Sequence, residues 1–364
     1  MEYLTSLLRF ATNMGASDVH IKANKHATLR IARDLFTVEV DPPSEQDVQQ
    51  IVEAMMPEHL KSRFQREKEV DFSFFSEGIG RFRVNVFQQR GQISIAMRFV
   101  KTQIPSFEEL HLPEILRTIA TTPRGIVLLA GATGSGKSTS LAAMVDYINS
   151  NSKKHIITVE DPIEYLFEEK QSIIDQREIG LDTLSFDRAL THVLRQDPDI
   201  IMIGEMRDSQ SFMAALSAAD TGHLVFSTIH TTNASQAIGR ILDFFPAQDR
   251  DQIRRQLAVL LQAVVCQRLV PAIGGGVVPA VEIMLNTPII RKLIEENKLE
   301  KLPAGIETGT EDGMQTFNQS IYKLIKTKLI TEADGLLRAS NPDALKMNLK
   351  GIFLDESRRI MASA

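Results

Sequence analysis

The first hundred residues combine two helical patterns with several strand-like ones. Apolar residues fall three and four apart in 4–11 and in 48–55, which is the spacing of one helix face, and Ser44 stands where an N-cap of the second helix is expected. The segments EVDFSFF, GRFRVNVF and QISIAMRFV instead alternate apolar and polar residues, which is typical of half-buried strands. Residues 1–100 are therefore predicted to form a small α+β domain.

The pattern changes after residues 101–113, which carry two prolines and are predicted to be a linker. The runs IVLLA, IITV, IIMI and LVFSTI are short and apolar throughout, and helical segments separate them. Strands that are buried on both faces of a parallel sheet have this composition, so residues 114–287 are predicted to form an α/β domain. From 288 to 364 the pattern is helical.

Composition narrows the class of protein. The chain has 364 residues, of which 43% are hydrophobic and 24% charged, and its net charge is −5. This is an ordinary globular balance, with no overall positive field to attract nucleic acid or anionic lipid. Its one cysteine, Cys266, excludes an intrachain disulfide and a thiolate zinc cluster, and the apolar neighbours of Cys266 favour a buried side chain.

No segment of the sequence is typical of a membrane span. The longest apolar stretch, Leu257 to Cys266, is interrupted by Gln262 and falls well short of the roughly 20 residues that cross a bilayer. The first residues lack the basic region and the cleavage pattern of a secretory signal. We therefore expect a cytoplasmic protein, which can still associate with a membrane complex.

The segment GATGSGKST follows the run IVLLA and opens a predicted helix. It matches G-x-x-x-x-G-K-[ST], in which the glycines turn backbone N–H groups onto phosphate oxygens at a helix N-terminus. Lys137 is expected to reach the β- and γ-phosphates, and Ser138 to ligate Mg²⁺. The alternative is a glycine-rich turn without function, which the strand and helix on either side disfavour. The predicted nucleotide-binding residues are Gly131, Ala132, Thr133, Gly134, Ser135, Gly136, Lys137, Ser138 and Thr139.

Carboxylates follow the next two predicted strands. Glu160, Asp161 and Glu164 follow IITV, and Glu205 follows IIMI. Because ligands bind beyond the carboxyl ends of strands in open α/β sheets, Glu160, Glu164 and Glu205 are expected to converge with Ser138 on a γ-phosphate. Carboxylates there can hold Mg²⁺ through water or orient the attacking water. Any one of them could be a solvated loop residue, but the set at successive strand ends favours hydrolysis.

Two histidines bracket the run LVFSTI. His230 lies at its carboxyl end, where a γ-phosphate would be, and is a candidate site residue. His223 lies at the entry end, where an interface or a buried polar role is favoured. A zinc site is disfavoured, since two histidines without a clear third ligand do not complete the usual shell.

Four ordered segments resemble the motifs of one enzyme family. GATGSGKST, TVEDPIEY, GEMRD and TGHLVFSTIHTTNA are similar to the Walker A, Asp box, Walker B and His box of bacterial secretion ATPases. ASDVHI, GRFRVNVF, IGGG with PAVEIM, TPIIRKLI and GMQTF extend the likeness over nearly the whole chain. The sequence resembles above all the type IV pilus retraction ATPases of the PilT/PilU family.

The resemblance implies a fold and a function. It implies a PAS-like N-terminal domain, a RecA-like P-loop ATPase domain and a helical C-terminal region, assembled as a homo-hexamer. Such a ring hydrolyses ATP with Mg²⁺ and drives pilin depolymerisation, hence pilus retraction and twitching motility. The implied partner is an inner-membrane platform protein, to which the cytoplasmic ring would bind peripherally. No nucleic acid is expected.

The resemblance also implies roles for single residues. Glu164 matches the general base that orients water. Glu205 matches the Walker B carboxylate that supports Mg²⁺ and water, and Glu160 is expected to act on the metal through water as well. His230 lies within the segment that is similar to the His box.

The family's γ-phosphate arginines come from the N-terminal domain, where the matching strands hold Arg81, Arg83 and Arg98. In GRFRVNVF the apolar residues occupy one face, so Arg81 and Arg83 are expected on the other. A guanidinium suits phosphate because its planar fork matches the oxygens. A merely solvated strand face is equally compatible with the pattern.

Differences from related families indicate which kind of pilus motor this sequence resembles. Extension ATPases of the superfamily typically carry a four-cysteine zinc module and a longer N-terminal region, which this sequence lacks. The tail SNPDALKMNLKGIFLDE looks more like PilU, an accessory motor that would cooperate with a PilT paralogue.

Two other functions are considered. A RecA-like nucleic-acid translocase is disfavoured because Trp is absent and aromatic residues are 6%. An ATP-binding regulatory subunit is disfavoured by the carboxylate set.

Overall fold

The computed structural model describes residues 1–32 and 34–352, and the chain divides into two compact units. The first unit contains Met1–Thr102 together with the short segments Pro162–Leu166 and Gly180–Asp182. The second contains Gln103–Asp161, Phe167–Ile179 and the chain from Thr183 onward. The domain boundaries expected at 100, 113 and 287 stay predictions.

The N-terminal unit is an antiparallel sheet covered by helices. Its elements are α1 (Glu2–Asn13), β1 (Asp18–Lys22), β2 (Thr28–Ile31), β3 (Asp34–Thr37), α2 (Glu45–Met55), α3 (Glu58–Glu67), β4 (Glu69–Ser76), β5 (Gly80–Gln89) and β6 (Gln92–Phe99). The strand order is β3-β2-β1-β6-β5-β4. The apolar faces of α1 and α2 share one core with the inward side chains of the strands, as their spacing predicts.

Two local predictions in this unit are confirmed. Ser44 caps α2 in a reciprocal arrangement, since its hydroxyl accepts from the Asp47 N–H and the Asp47 carboxylate accepts from the Ser44 N–H. In β5, Phe82, Val84 and Val86 are buried, which leaves Arg81 and Arg83 on the opposite face.

The second unit is built on a seven-stranded sheet within the described residues. Its elements up to the sheet edge are α4 (Ile115–Ala120), β7 (Gly125–Ala130), α5 (Lys137–Asn151), β8 (His155–Glu160), β9 (Ile173–Glu178), α6 (Phe186–Val193), β10 (Ile200–Ile203), α7 (Ser209–Asp220), β11 (Leu224–Ile229), α8 (Ala234–Asp243), α9 (Arg250–Leu260), β12 (Leu261–Pro271) and β13 (Val277–Leu285). The strand order is β13-β12-β7-β11-β10-β8-β9, and every pair is parallel except β12 with β13.

This sheet is buried on both faces, which explains the continuous apolar runs. In β7, Leu128 and Ala130 belong to one core while Val127 and Leu129 belong to the core on the other side. The predicted α/β class is thereby confirmed.

The apolar stretch that contains Cys266 divides between the end of α9 and the start of β12. The three glycines at 274–276 make the turn into β13, with positive φ angles at Gly275 and Gly276.

Cys266 is fully buried, as expected. This burial, together with the charge of Glu282, raises the pKa of its thiol well above the usual range.

Residues 288–349 fold mainly into helices, as their pattern predicts. They are α10 (Pro288–Glu295), α11 (Leu302–Thr308), α12 (Phe317–Lys326), α13 (Glu332–Arg338) and α14 (Pro342–Leu349). The PilU-like tail segment, residues 340–356, lies partly outside the described residues, since description stops at 352. In the described part of the chain, no helix has both the length and the apolar character of a membrane span.

Candidate nucleotide site

The segment between β7 and α5 forms an open loop above a helix N-terminus. Gly134 and Gly136 adopt positive φ angles, 77° and 88°, which let the backbone reverse direction within a few residues. Gly136 is the N-cap of α5, so the capping position carries no side chain that could satisfy the first N–H groups of the helix. Ala132, Thr133 and Gly134 are exposed. The loop therefore presents backbone donors and the positive end of a helix dipole to an anion.

Lys137 is the side chain at the centre of this loop. It is only 7% exposed, and its Nζ donates to the carbonyl oxygens of Gly131 at 2.8 Å and of Ala132 at 3.1 Å. The ammonium group is thus held inside the loop, next to the N-terminus of α5. Ser138 is the second residue of the helix and is half-buried. One fixed cation and a hydroxyl at a helix start are suited to a polyphosphate with a bound divalent ion.

The loop is also attached to the neighbouring strands. The Gly131 N–H donates to Ile229 O at the end of β11, at 3.3 Å. From β12, the Gln267 side chain donates from Nε2 to Ser135 O at 2.9 Å and accepts from Ser140 Oγ at 2.8 Å. Sequence reasoning missed Gln267, although an amide within the apolar run AVVCQRLV was a usable signal, since a buried polar side chain must find partners.

Glu205 and His230 meet at the carboxyl ends of β10 and β11. His230 Nε2 lies 3.2 Å from Glu205 Oε1, and the Arg207 guanidinium lies 2.7 Å from Glu205 Oε2. The hydrogen bond with Glu205 and the charge of that carboxylate raise the pKa of Arg207. Both carboxylate oxygens therefore have a basic side chain beside them.

The backbone around Glu205 is fixed from β11. Thr228 Oγ1 donates to Gly204 O at 2.7 Å, and the Met206 N–H donates to Thr228 O at 3.3 Å. These bonds lie immediately before and after Glu205, so they orient its side chain. The phosphate loop, His230 and Glu205 thus follow the carboxyl ends of the neighbouring parallel strands β7, β11 and β10, while the expected convergence of Ser138, Glu160, Glu164 and Glu205 on a γ-phosphate stays a prediction.

Glu160 is the last residue of β8 and is buried at the same edge. Its Oε1 accepts from Thr158 Oγ1 at 2.7 Å and from Gln176 Nε2 at 3.2 Å. Gly204 lies directly beside it, since a Cβ built on Gly204 would stand 3.4 Å from the Glu160 Cα. At this distance a Cβ would make an ordinary van der Waals contact, so the ends of β8 and β10 pack side by side here.

His223 has a local structural contact. Its Nδ1 lies 2.9 Å from Ala218 O and 3.1 Å from Thr221 Oγ1, where α7 ends and β11 begins. His223 is half-buried, and the interface or buried polar role expected for it stays a prediction.

The other predicted site residues belong to the N-terminal unit. Glu164 is exposed in the segment Pro162–Leu166, which pairs with the strand end at Lys101 through the Leu166 N–H and Lys101 O, 2.9 Å apart. Its predicted approach to the γ-phosphate stays a prediction, as does the role of each arginine.

Arg83 and Arg98 belong to a row of charged residues across the sheet. The strand register aligns them in the order Arg30, Asp18, Arg98, Arg83, on β2, β1, β6 and β5. Directly opposed residues on antiparallel strands point to the same face. The row therefore sets three guanidinium groups and one carboxylate side by side.

Asp18 is the carboxylate that organises the row. Arg98 Nε lies 2.7 Å from Asp18 Oδ1, and Ser17 Oγ donates to Oδ2 at 2.8 Å. Burial by itself would raise the pKa of Asp18, but these hydrogen bonds and the charges of Arg98 and His20 lower it overall. Asp18 therefore stays ionised and fixes the base of the Arg98 guanidinium, while the Arg98 side chain remains 63% exposed.

Comparison with known proteins defines the class. Residues 1–329 match the model of the type II/IV secretion system protein family, and the chain belongs to this family. The resemblance predicted from the four motifs is thereby confirmed, together with the expectation of an ATPase.

Two relatives that match over most of their length are type IV pilus ATPases. The chain is 42% identical to the pilus retraction ATPase PilT of Pseudomonas aeruginosa over 93% of this chain and 99% of the relative. It is 43% identical to the type IV pilus ATPase PilU of the same organism, over 94% of this chain and 90% of the relative. A crystal structure of the pilus retraction motor PilT with bound ADP superimposes with a TM-score of 0.87 at 43% identity, over 94% of this chain and 98% of the other.

Proposed function

We propose that this chain binds MgATP at the phosphate loop, hydrolyses it, and uses the free energy to drive type IV pilus retraction. The observation that carries the proposal is that, in one unit, a loop that holds Lys137 at a helix N-terminus and the paired side chains of Glu205 and His230 follow the carboxyl ends of neighbouring parallel strands. A phosphate cradle beside an oriented carboxylate is the arrangement that nucleotide hydrolysis requires.

Nucleotide binding rests on the loop itself. Backbone N–H groups of the loop and of the first turn of α5 would donate to the phosphate oxygens, and Lys137 would add one charge-assisted contact. The loop carbonyls that now accept from Lys137 Nζ keep the ammonium close to this position. The ADP bound to the structurally similar PilT supports the same ligand class here.

The residues present also suit magnesium. The Ser138 hydroxyl stands at the start of α5, Glu160 ends β8 and Glu205 follows the adjacent strand β10, so oxygen donors of the type that Mg²⁺ prefers lie at the same end of the sheet. We assign Ser138 as a direct ligand and the two carboxylates as ligands through water. The bound ion would supply charge neutralisation at the β- and γ-phosphates.

Hydrolysis needs a water placed in line with the γ-phosphate. We assign Glu164 as the base that orients this water, and Glu205 as the carboxylate that supports it. His230 Nε2 and Arg207 hold the two oxygens of Glu205, so the carboxylate cannot rotate freely. His230 thereby acts on the site through the orientation of Glu205.

The predicted phosphate-binding arginines lead to a proposal about how copies of the chain assemble. We propose that the chain forms a homo-hexamer, in which Arg81, Arg83 and Arg98 of one copy reach the phosphates bound by its neighbour. Arg81 and Arg83 are half-buried on the strand face opposite the core, and the side chain of Arg98 is largely exposed beside Asp18; both observations support this role. Cycles of binding and release would then alternate the arrangement of the PAS-like and ATPase domains around the ring.

In the cell, this ring is proposed to sit on the inner-membrane platform protein of the pilus machine and to promote pilin depolymerisation. The tail of the sequence favours the accessory, PilU-type motor, which would act together with a PilT paralogue. Deletion of the gene, with and without the paralogue, should remove only retraction against high load if the chain is the accessory motor. Complete loss of retraction in the single deletion would instead assign it the role of the main motor.

The test of the site uses purified protein with MgATP. We expect phosphate release that depends on Mg²⁺ and disappears in Lys137→Ala. Wild-type protein that neither binds nor hydrolyses MgATP at concentrations where it oligomerises would overturn the proposal. Hydrolysis stimulated strongly by single-stranded DNA, with a steep salt dependence of binding, would point to a translocase instead.

A further inference from the structure

The side chain of Gln267 hydrogen-bonds to the phosphate loop and to the first turn of α5. This glutamine is 4% exposed and follows Cys266, whose register partner on β7 is Ala130, the last residue before the loop. Both ends of its amide are used: Nε2 donates to Ser135 O at 2.9 Å, and Oε1 accepts from Ser140 Oγ at 2.8 Å. Because a carbonyl oxygen can only accept, the Ser135 contact fixes which end of the amide is the nitrogen.

The two bonds bracket the residues that would contact phosphate. Ser135 lies in the loop before α5 and Ser140 lies in the first turn of the helix, with Lys137 and Ser138 between them. One rigid amide therefore sets the distance between the loop and the helix start. Neither bond involves the groups that face an anion, so Gln267 supports the cradle from behind.

Two glycines of the phosphate motif also face Gln267. A Cβ on Gly136 would stand 2.7 Å from Gln267 Nε2, and a Cβ on Gly131 would stand 2.7 Å from Gln267 O. Contacts this short would force the glutamine or the loop to move. The glycines at both ends of the loop are thus required in part because this side chain and its backbone occupy the space beneath them.

We propose that Gln267 is a positioning residue for nucleotide binding, which ties the phosphate loop to the first turn of α5 and so holds Lys137 and the loop N–H groups in the geometry that phosphate requires. This inference rests on the proposed function, since it concerns the same phosphate loop. Gln267 acts through Ser135 and Ser140 and does not itself contact the nucleotide.

The test compares Gln267 with a second buried glutamine of the same unit. Gln315 is 6% exposed, and its Nε2 donates to Val281 O at 3.0 Å, which matches the burial and the backbone contact of Gln267. Gln267→Leu and Gln315→Leu each remove one buried amide of the same size. The measurements are the melting temperature, the Kd for MgADP with a fluorescent analogue, and KM and kcat for MgATP.

We expect both variants to lower the melting temperature, whereas only Gln267→Leu raises the Kd for MgADP, by about tenfold or more, because misplaced phosphate contacts weaken steeply. The same variant should raise KM for MgATP together with a fall in kcat. A purely structural role predicts equal behaviour of the two variants. Wild-type nucleotide affinity in Gln267→Leu, or an equal rise of Kd in Gln315→Leu, would therefore overturn the inference.

Two further variants keep the test decisive if Gln267→Leu does not fold. Gln267→Glu retains the acceptor for Ser140 but turns a carboxylate oxygen toward Ser135 O, and it should raise the Kd in the same direction. Ser140→Ala removes one of the two bonds, and its effect should be largely absent when it is added to a Gln267 variant. Full additivity of the two changes would contradict a shared action.

The outcome separates this inference from the proposed function. If wild-type protein does not bind MgADP or MgATP, the proposed function fails. If wild type binds and Lys137→Ala does not, but both Gln267 variants bind like wild type, only the role of Gln267 fails.

Discussion

The two regions that carry the predicted phosphate contacts differ in how their charges are held. Lys137 is nearly enclosed, and its ammonium is held by two loop carbonyls. Arg98 is largely exposed, and Asp18 holds only its Nε side. The first region fixes its cation before any ligand binds, whereas the second leaves most of a guanidinium directed outward.

The difference assigns different energetic roles to the two regions. A preorganised cradle loses little side-chain entropy when a phosphate binds, so it is suited to affinity. An exposed arginine row contributes little until another surface excludes water from it, because exposed ion pairs are worth about 0–1 kcal/mol. We therefore expect changes in the phosphate loop to act on nucleotide binding, and changes in the arginine row to act on turnover.

The largest expected effect is on nucleotide affinity in Lys137→Ala. Loss of the one lysine in the loop should raise the Kd for MgATP at least about a hundredfold, since charged hydrogen bonds are each worth about 1.5–3 kcal/mol. Calorimetry or a fluorescent nucleotide measures this. Lys153→Ala, in an exposed lysine just beyond α5, is the control and should bind like wild type. Equal affinity of the two variants would remove the assigned role of Lys137.

Glu205→Gln should separate binding from hydrolysis. The amide keeps the size of the side chain but lacks the charge that supports water, so we expect a kcat lower by about a hundredfold or more with MgATP affinity within about threefold. Rapid binding kinetics and phosphate release measure the two quantities. Binding and turnover that fall by the same factor would show that Glu205 serves affinity instead.

Substitution of the predicted intersubunit arginines should affect turnover more than binding. Arg83→Ala and Arg98→Ala should each lower kcat by at least about tenfold while the Kd for MgADP stays within about twofold. The reason is that an arginine that stabilises the transferred phosphoryl group acts mainly in the transition state. Arg30→Ala, in the same row but outside the predicted set, is the matched control.

Mixed rings test whether the arginine and the base come from different chains. Arg83→Ala and Glu164→Gln subunits are each expected to be slow alone, and a mixture should regain part of the turnover. Absence of recovery at every mixing ratio would contradict a site shared between neighbours.

The smallest expected effect is on pH dependence in Asp18→Asn. The lowered pKa of Asp18 means that its ionised form stabilises the folded state above the ordinary carboxyl pKa of about 4, and that this contribution is lost as the pH falls below it. Melting temperatures between pH 6 and pH 3 should therefore fall less steeply in Asp18→Asn than in wild type. Identical slopes would show that the Asp18 contacts add no stability.

Local patterns in the sequence predicted the elements with strong periodicity. The alternation in GRFRVNVF indicated a strand with one buried face, and the apolar runs indicated strands buried on both faces. The Ser44 cap depends on residues only three apart. The helix α3 and the edge strand β9 were not anticipated. No residue of α3 is buried, and β9 carries mostly half-buried and exposed side chains, so neither has the apolar pattern that identifies an element.

The parts of the candidate site formed by residues close together in sequence were predictable, whereas contacts between residues far apart in sequence were not. The motif at 131–139 contains its own strand, loop and helix signals, and the successive strand ends indicated Glu205 and His230. The supporting contacts join residues far apart in sequence, as Gln267 with Ser135 and Asp18 with Arg98. Such pairs are decided by strand order and register, which a single sequence does not specify.

The isolated, fully buried thiol of Cys266 has a practical consequence for studying motion. Thiol reagents attack the thiolate, and a buried group whose pKa is raised supplies very little of it at neutral pH. Maleimide dyes should therefore leave the native protein unlabelled and react selectively with cysteines introduced on its surface. Pairs of such dyes could report distance changes during turnover by fluorescence transfer, without first replacing a residue in the core.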